Sequence, residues 1–214
     1  RIITRPQWKS WLVRGAYMLI AFSILVTIWA AGELALWMSW IEEGDYLLWR
    51  AALNWVGVPL AIGTAVYTAF LFGQAEGRDL WQSTLLPLHL IVQSFVAGAA
   101  FFMIIGSVVE LDADVIALVR LTFITSLVLD ILVTMFGEFG MPHASEAAAR
   151  AAHMIVRGRY ARSFWIGSVL FGHIVPLGLG FVDSPGFIAG ILALVGLFLY
   201  ERAFVSAPQE IPNS

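Results

Sequence analysis

Residues 115–138, VIALVRLTFITSLVLDILVTMFGE, are apolar enough to cross a bilayer, yet Arg120 and Asp130 lie inside the run and Glu138 closes it. Placing Asp or Arg at the centre of a membrane helix costs on the order of 2.5–3.5 kcal/mol on insertion scales. A group held there faces a bundle interior or water rather than lipid. Thr122, Ser126, Asp130, Thr134 and Glu138 recur at every fourth position. Residues four apart stack on one side of a helix. The ladder drifts by about 40° per step and rises roughly 24 Å, most of a hydrocarbon core about 30 Å thick. Its hydroxyls suit either a polar path or a helix–helix seam. Asp130 reads as functional.

The rest of the chain agrees with this setting. Hydrophobic residues make up 60% and charged residues 13%, which excludes an ordinary soluble domain. The alternating ten-residue strands of a membrane barrel do not occur. With no cysteine, a disulfide, a thiolate metal site and the usual protein-held iron–sulfur cluster are excluded. The expected fold is all-α, a polytopic membrane helical bundle of six transmembrane helices in one domain, residues 1–214. The spans are read at 15–40, 51–73, 80–109, 115–138, 164–182 and 186–200. An interfacial helix is read at 144–156 and a tight turn at 183–185. The first residue is Arg and no signal peptide follows, so the chain reads as part of a longer polypeptide.

Loop charge orients the bundle. Arg1, Arg5, Lys9, Arg14, Arg78, Arg150, Arg157, Arg159, Arg162 and Arg202 gather at one end. Glu42, Glu43, Asp45, Glu110, Asp112, Asp114 and Asp183 gather at the other, where Arg50 is the lone loop cation. The positive-inside rule places both termini in the cytoplasm, in a cell inner membrane. The nine tryptophans fall mainly near span ends, as an aromatic belt does. The lipid bilayer is the implied partner, and nothing points to nucleic acid.

Glu33, His89, Arg120, Asp130, Glu138 and His173 lie within the spans or at their edges. Titratable groups staggered through a bilayer are what a proton path needs, and histidine titrates near neutral pH. Other readings stay open. Each histidine can be satisfied by a neighbouring helix. His89 and His173 could ligate a haem if they face each other at matching depth. The chain could be a structural anchor. Solute transport has no inverted repeat or broken-helix pair behind it.

Residues 56–106 resemble the membrane subunit of polysulfide reductase and its NrfD-type relatives. The marks are Gly57-x-Pro59-Leu60, Tyr67-Thr68, a short loop ending at Trp81, Leu86-Pro87-Leu88, and the Ser94…Gly98 stretch. The opening RPQWKSWLVRGAYML, Phe164-Trp165 with Gly167, His173…Pro176-Leu177 and the closing ERAFVSAPQEIPNS extend the likeness over nearly the whole chain. The resemblance implies part of an eight-helix fold of two four-helix bundles, with the first two helices lacking here. It implies a quinone-linked subunit of a respiratory or photosynthetic oxidoreductase complex, with quinone or quinol as substrate and no tightly bound cofactor of its own. Its partners would be a ferredoxin-like iron–sulfur subunit, a molybdopterin-type catalytic subunit and other membrane subunits. Glu33 and Trp37 are the quinone-binding candidates. Asp130, His173, Arg120, His89, Glu138 and Glu33 are the proton-transfer candidates.

Overall fold

The computed structural model describes residues 5–182 and 186–212. The tight turn expected at 183–185, with Asp183, lies outside the described residues, as does Arg1. The described residues are all-helical, and six helices are long and apolar enough to cross a membrane. The chain divides into two compact units, Arg1–Gln74 and Ala75–Ser214.

The first unit is a hairpin of α1 (Trp11–Trp37) and α2 (Glu43–Phe72). Glycines let large rings come close. A Cβ on Gly15 would sit 2.1 Å from the Tyr67 ring, and one on Gly32 would sit 2.0 Å from the Trp49 ring. Trp11 stacks on Phe70 at 4.3 Å, and its backbone N–H donates to Gln74 Oε1 at 2.9 Å. The helix α2 begins well before the span expected from residue 51. Glu43 and Asp45 form its first turn, where the positive end of the helix dipole stabilises carboxylates.

The second unit holds the remaining elements. A short 3₁₀ turn (Asp79–Gln82) leads into α3 (Leu86–Ile105), with Pro87 in the first turn, where its missing N–H costs nothing. The expected single span from 80 to 109 is thus a turn plus a shorter helix. Next comes α4 (Ala113–Leu132), which continues without a break into a π-helical segment (Val133–Glu138). The amphipathic α5 (Glu146–Val156) follows, capped by Ser145 Oγ, which accepts from the Ala148 N–H at 3.1 Å. Its buried face is Ala148, Ala151, Ala152 and Ile155, the i, i+3, i+4, i+7 stripe of a helix lying on a surface. A second π-helical segment (Ser163–Ile174) runs into α6 (Val175–Gly180), and α7 (Gly186–Gln209) completes the unit. The helix α7 continues to Gln209, well beyond the span end expected at residue 200, so Glu201 is a helical position rather than the start of a tail.

Lipid supplies no hydrophobic drive between helices, so close packing of small residues takes over. Gly172 of the second π segment meets Gly196 of α7 so closely that a Cβ on Gly196 would lie 2.1 Å from the Gly172 Cα. Gly190 of α7 faces the Ala100 carbonyl oxygen of α3, 2.5 Å from where a Cβ would stand. A dry layer of Val96, Ala99, Ala100, Phe123, Leu127, Ala189 and Ala193 fills the space among α3, α4 and α7.

Candidate functional site

Below that layer, three ionisable side chains from three elements converge. Asp130 of α4 is 1% exposed, His89 of α3 is 0% exposed and His173 of the second π segment is 5% exposed. His173 Nε2 lies 2.6 Å from Asp130 Oδ2, and His89 Nε2 lies 3.0 Å from Asp130 Oδ1. The two contacts differ in kind. The first is a short hydrogen bond. The second is an ion-pair approach off the hydrogen-bonding angle, and Oδ1 has no aligned donor among the described residues.

The other nitrogen of His173 fixes the proton inventory. His173 Nδ1 is 2.9 Å from the Ser168 carbonyl oxygen, which can only accept. Nδ1 therefore carries a hydrogen, and a neutral imidazole carries only one. The 2.6 Å bond to Asp130 needs a further proton, on Nε2 or on the carboxyl. The pair thus shares one transferable proton whichever atom holds it.

His89 links this pair toward the end of the bundle that carries the 139–163 loop. Its Nε2 is 3.3 Å from both Thr134 Oγ1 and Gln93 Nε2. Its Nδ1 lies 3.4 Å from the Tyr200 hydroxyl and 3.9 Å from Glu138 Oε1. Ser83 donates its hydroxyl to Glu138 Oε1 at 3.1 Å. Glu201 is half-buried beside Gln93 and within the field of His89. The result is a polar chain, Ser83–Glu138–His89–Asp130–His173, whose four ionisable members are all buried.

The π segments account for the alignment. In an α-helix a four-residue step overshoots the turn by about 40°. A π turn of about 4.4 residues makes the same step fall short by a similar angle, so the drift is cancelled. Val133–Glu138 adopts that geometry, marked by the Phe139 N–H donating to the Thr134 carbonyl at 3.1 Å. Ser126, Asp130, Thr134 and Glu138 are consequently all buried. Thr122 is only half-buried, and the ladder fades there.

The other expected site residues are placed elsewhere. Arg120 donates from Nε to the Gly180 carbonyl at 2.6 Å and from Nη2 to the Val182 carbonyl at 3.1 Å. It secures the end of α6 and borders a cavity of about 400 Å³ with Phe102, Met103 and Phe187. The dry layer separates it from Asp130. In the first unit, Glu33 is 3.7 Å from Arg50, whose guanidinium lies over the Trp29 and Tyr46 rings. Trp37 is 82% exposed and presents a bare ring. The haem reading fits poorly. The two Nε2 atoms that would ligate iron lie 2.6 and 3.0 Å from the two oxygens of one carboxylate, which stands between them.

Tyr200, Gln93, Ser83 and Glu201 were not expected. A tyrosine followed by a glutamate at the end of an apolar run was the available signal for two of them. Ser83 and Gln93 carry no local signal.

The sequence profile of the family described as "Polysulphide reductase, NrfD" matches residues 1–210. The chain is 27% identical to one of the subunits of the selenate reductase of Mesobacillus selenatarsenatis, over 60% of this chain and 32% of that protein. It is 26% identical to dolichyl-phosphooligosaccharide-protein glycotransferase 2 of Archaeoglobus fulgidus, over 92% of this chain and 33% of that protein. The chain therefore spans about a third of the length of the curated relatives it matches.

Proposed function

Because the chain belongs to the NrfD polysulphide reductase family, we propose that it is the quinone-linked membrane subunit of a reductase-type complex. It would pass electrons between membrane quinone and an extrinsic iron–sulfur subunit, with a molybdopterin-type catalytic subunit beyond. The match to a selenate reductase component favours this class. The glycotransferase match carries another chemistry. The family profile, which matches residues 1–210, decides between the two.

One observation carries the reading: His89, Asp130 and His173 sit together in a bundle that lipid surrounds. Three ionisable groups are expensive there and serve a proton's passage best. Quinol oxidation releases protons and quinone reduction takes them up, so a quinone-linked subunit has use for such a store. Glu138 would exchange protons with the cluster, and His89 would relay them, accepting at Nδ1 while releasing at Nε2. Arg120 would hold the far end of the bundle. Glu33 and Trp37 would face the quinone in the first unit. The arginine-rich end would be cytoplasmic in a cell inner membrane, and the acidic stretch Glu110, Asp112 and Asp114 leading into α4 would dock the iron–sulfur partner.

The test is to purify the protein from its native membrane. A cysteine-rich iron–sulfur protein should copurify, cross-linked to the acidic end, and Glu33→Gln should raise the quinone KM. Cross-links confined to the arginine-rich end, or a preparation with no redox partner, would refute the proposal.

A further inference from the structure

The proton-handling reading does not say from which side the cluster is filled. We propose that His89, Asp130 and His173 exchange protons with one end of the bundle only, through a wet mouth closed by Ser83 and Glu138. This deepens the reading above and rests on it only for its use in turnover.

The mouth is a cavity of about 280 Å³ at the end that carries the 139–163 loop. Asp79, Gln82, Ser83, Thr84, Glu138 and His143 line it. With these six polar side chains among the apolar ones on its wall, a cavity of this size has room and partners for several waters, since a single water needs roughly 10–15 Å³ of accessible space. Ser83 Oγ accepts from the Leu85 N–H at 3.3 Å and donates to Glu138 Oε1 at 3.1 Å. The first contact orients the hydroxyl for the second. Glu138 is 3% exposed, so its carboxylate lies at the boundary between the wet cavity and the buried cluster. The 3.9 Å from Glu138 to His89 Nδ1 is too long for a direct hydrogen bond. A single water bridges such a gap, and the Tyr200 hydroxyl lies 3.4 Å from the same nitrogen.

Each transfer balances. A proton from bulk, carried along the cavity waters, protonates Glu138, Glu138 passes a proton to His89 Nδ1, and His89 turns its Nε2–H into line with Asp130 Oδ1, 3.0 Å away, and gives up that proton. Asp130 Oδ1 is the atom left without an aligned donor among the described residues, so it can receive the proton. Release reverses these steps.

Beyond Asp130 the path stops. Val96, Ala99, Ala100, Phe123, Leu127, Ala189 and Ala193 are at most 6% exposed, and none can hold a proton. Ser126, the last hydroxyl inside, donates back to the Phe123 carbonyl of its own helix. Thr122 and Thr125 line, with Ser126, a groove walled by Val92, Phe95, Leu121 and Leu129, all on α3 and α4, and none of its lining residues is ionisable. Ten residues of helix, about 15 Å, separate Asp130 from Arg120.

The chain has no native cysteine, so single cysteines can stopper either end. Thr84→Cys lies in the mouth and Ser107→Cys lines the cavity at the opposite end. Both native side chains are exposed. The readout is hydrogen–deuterium exchange of the infrared bands that Asp130→Asn removes, in full-length protein in lipid nanodiscs. A bulky maleimide at Thr84→Cys should slow that exchange roughly a hundredfold, the low end of what a positioned proton-transfer group contributes. The same label at Ser107→Cys should leave it unchanged. Ser83→Ala should slow exchange and Ser83→Thr restore it. Unchanged exchange in labelled Thr84→Cys, or slowing by the Ser107→Cys label, overturns the proposal. The readout is independent of turnover. If Asp130→Asn sustains full quinone-linked turnover while the Thr84→Cys label still slows exchange, the role in turnover falls and the one-sided mouth stands.

Discussion

Asp130→Asn separates a proton carrier from a structural seam. In the native cluster the carboxylate takes a 2.6 Å bond from His173, whose other nitrogen is committed to the Ser168 carbonyl. An asparagine amide can donate into a neutral His173 Nε2, so the geometry survives. What vanishes is the proton the pair could pass on. The stability cost is the difference between a charged bond, about 1.5–3 kcal/mol, and a neutral one, about 0.5–1.5 kcal/mol, hence roughly 1–1.5 kcal/mol. Asp130→Leu instead leaves two buried histidines facing no acceptor, at about 3–5 kcal/mol. On rate the order inverts for Asn. Losing a positioned proton-transfer group costs about 10²–10⁴-fold, or roughly 3–5.5 kcal/mol of barrier. The assay pairs thermal unfolding of the reconstituted complex with quinone-linked turnover and exchange of the buried bands. The Asn variant should stay nearly as stable as wild type and lose most of its rate, with Leu losing both. An Asn variant that turns over and exchanges at the native rate refutes the reasoning and leaves the cluster a seam.

The fold's weakest point to added volume should be the glycine crossing. Gly196→Ala places a methyl 2.1 Å from the Gly172 Cα, so the two elements must part, at about 1–3 kcal/mol or more. Unfolding in detergent should show a clearly lowered midpoint, and an unchanged one contradicts the crossing. Outside the spans, Tyr160 donates to Glu210 Oε1 at 2.7 Å, and desolvation, then that hydrogen bond, raise its pKa above the usual tyrosine value of 10.0. Its folded pKa exceeds its unfolded one, so its contribution is intact below pH about 10 and declines as pH rises beyond it. Tyrosinate absorbance titration of wild type against Tyr160→Phe should show one late-ionising tyrosine fewer in the variant, and an unchanged late amplitude contradicts the assignment.

Much of this was legible because the background is so apolar. In a run such as 115–138 a single aspartate stands out, and the cost of burying it argues a role from hydropathy alone. His89 and His173 were legible for the same reason. Their meeting at one carboxylate was not, because it depends on how α3, α4 and the second π segment pack. The four-residue ladder was legible as a face, but the local switch to π geometry that keeps Glu138 on it has no composition signal. Tyr200 and Glu201 were missed because hydropathy falls at Glu201, whereas the helix continues on its own backbone hydrogen bonds. Arg120 stood out as strongly as Asp130, yet its partners are main-chain carbonyls of another helix, which no side-chain pattern encodes.

The fold and the site rest on the same contacts. In lipid, helices are joined by close approach and by polar bonds rather than by escape from water. Gly172 and Gly196 provide the approach, and that crossing sets the second π segment against α7. His173 lies one residue beyond Gly172 and reaches Asp130, and Tyr200 lies one turn beyond Gly196 and reaches His89, so the crossing serves both contacts. The polar bonds then come from the cluster itself, with His173 tying its segment to α4 and His89 tying α3 to both α4 and α7. A bundle assembled this way gains cohesion from the same groups that hold its proton. Such groups can persist in an apolar interior under two pressures at once, which is why the costliest side chains of the chain sit where its helices meet most closely.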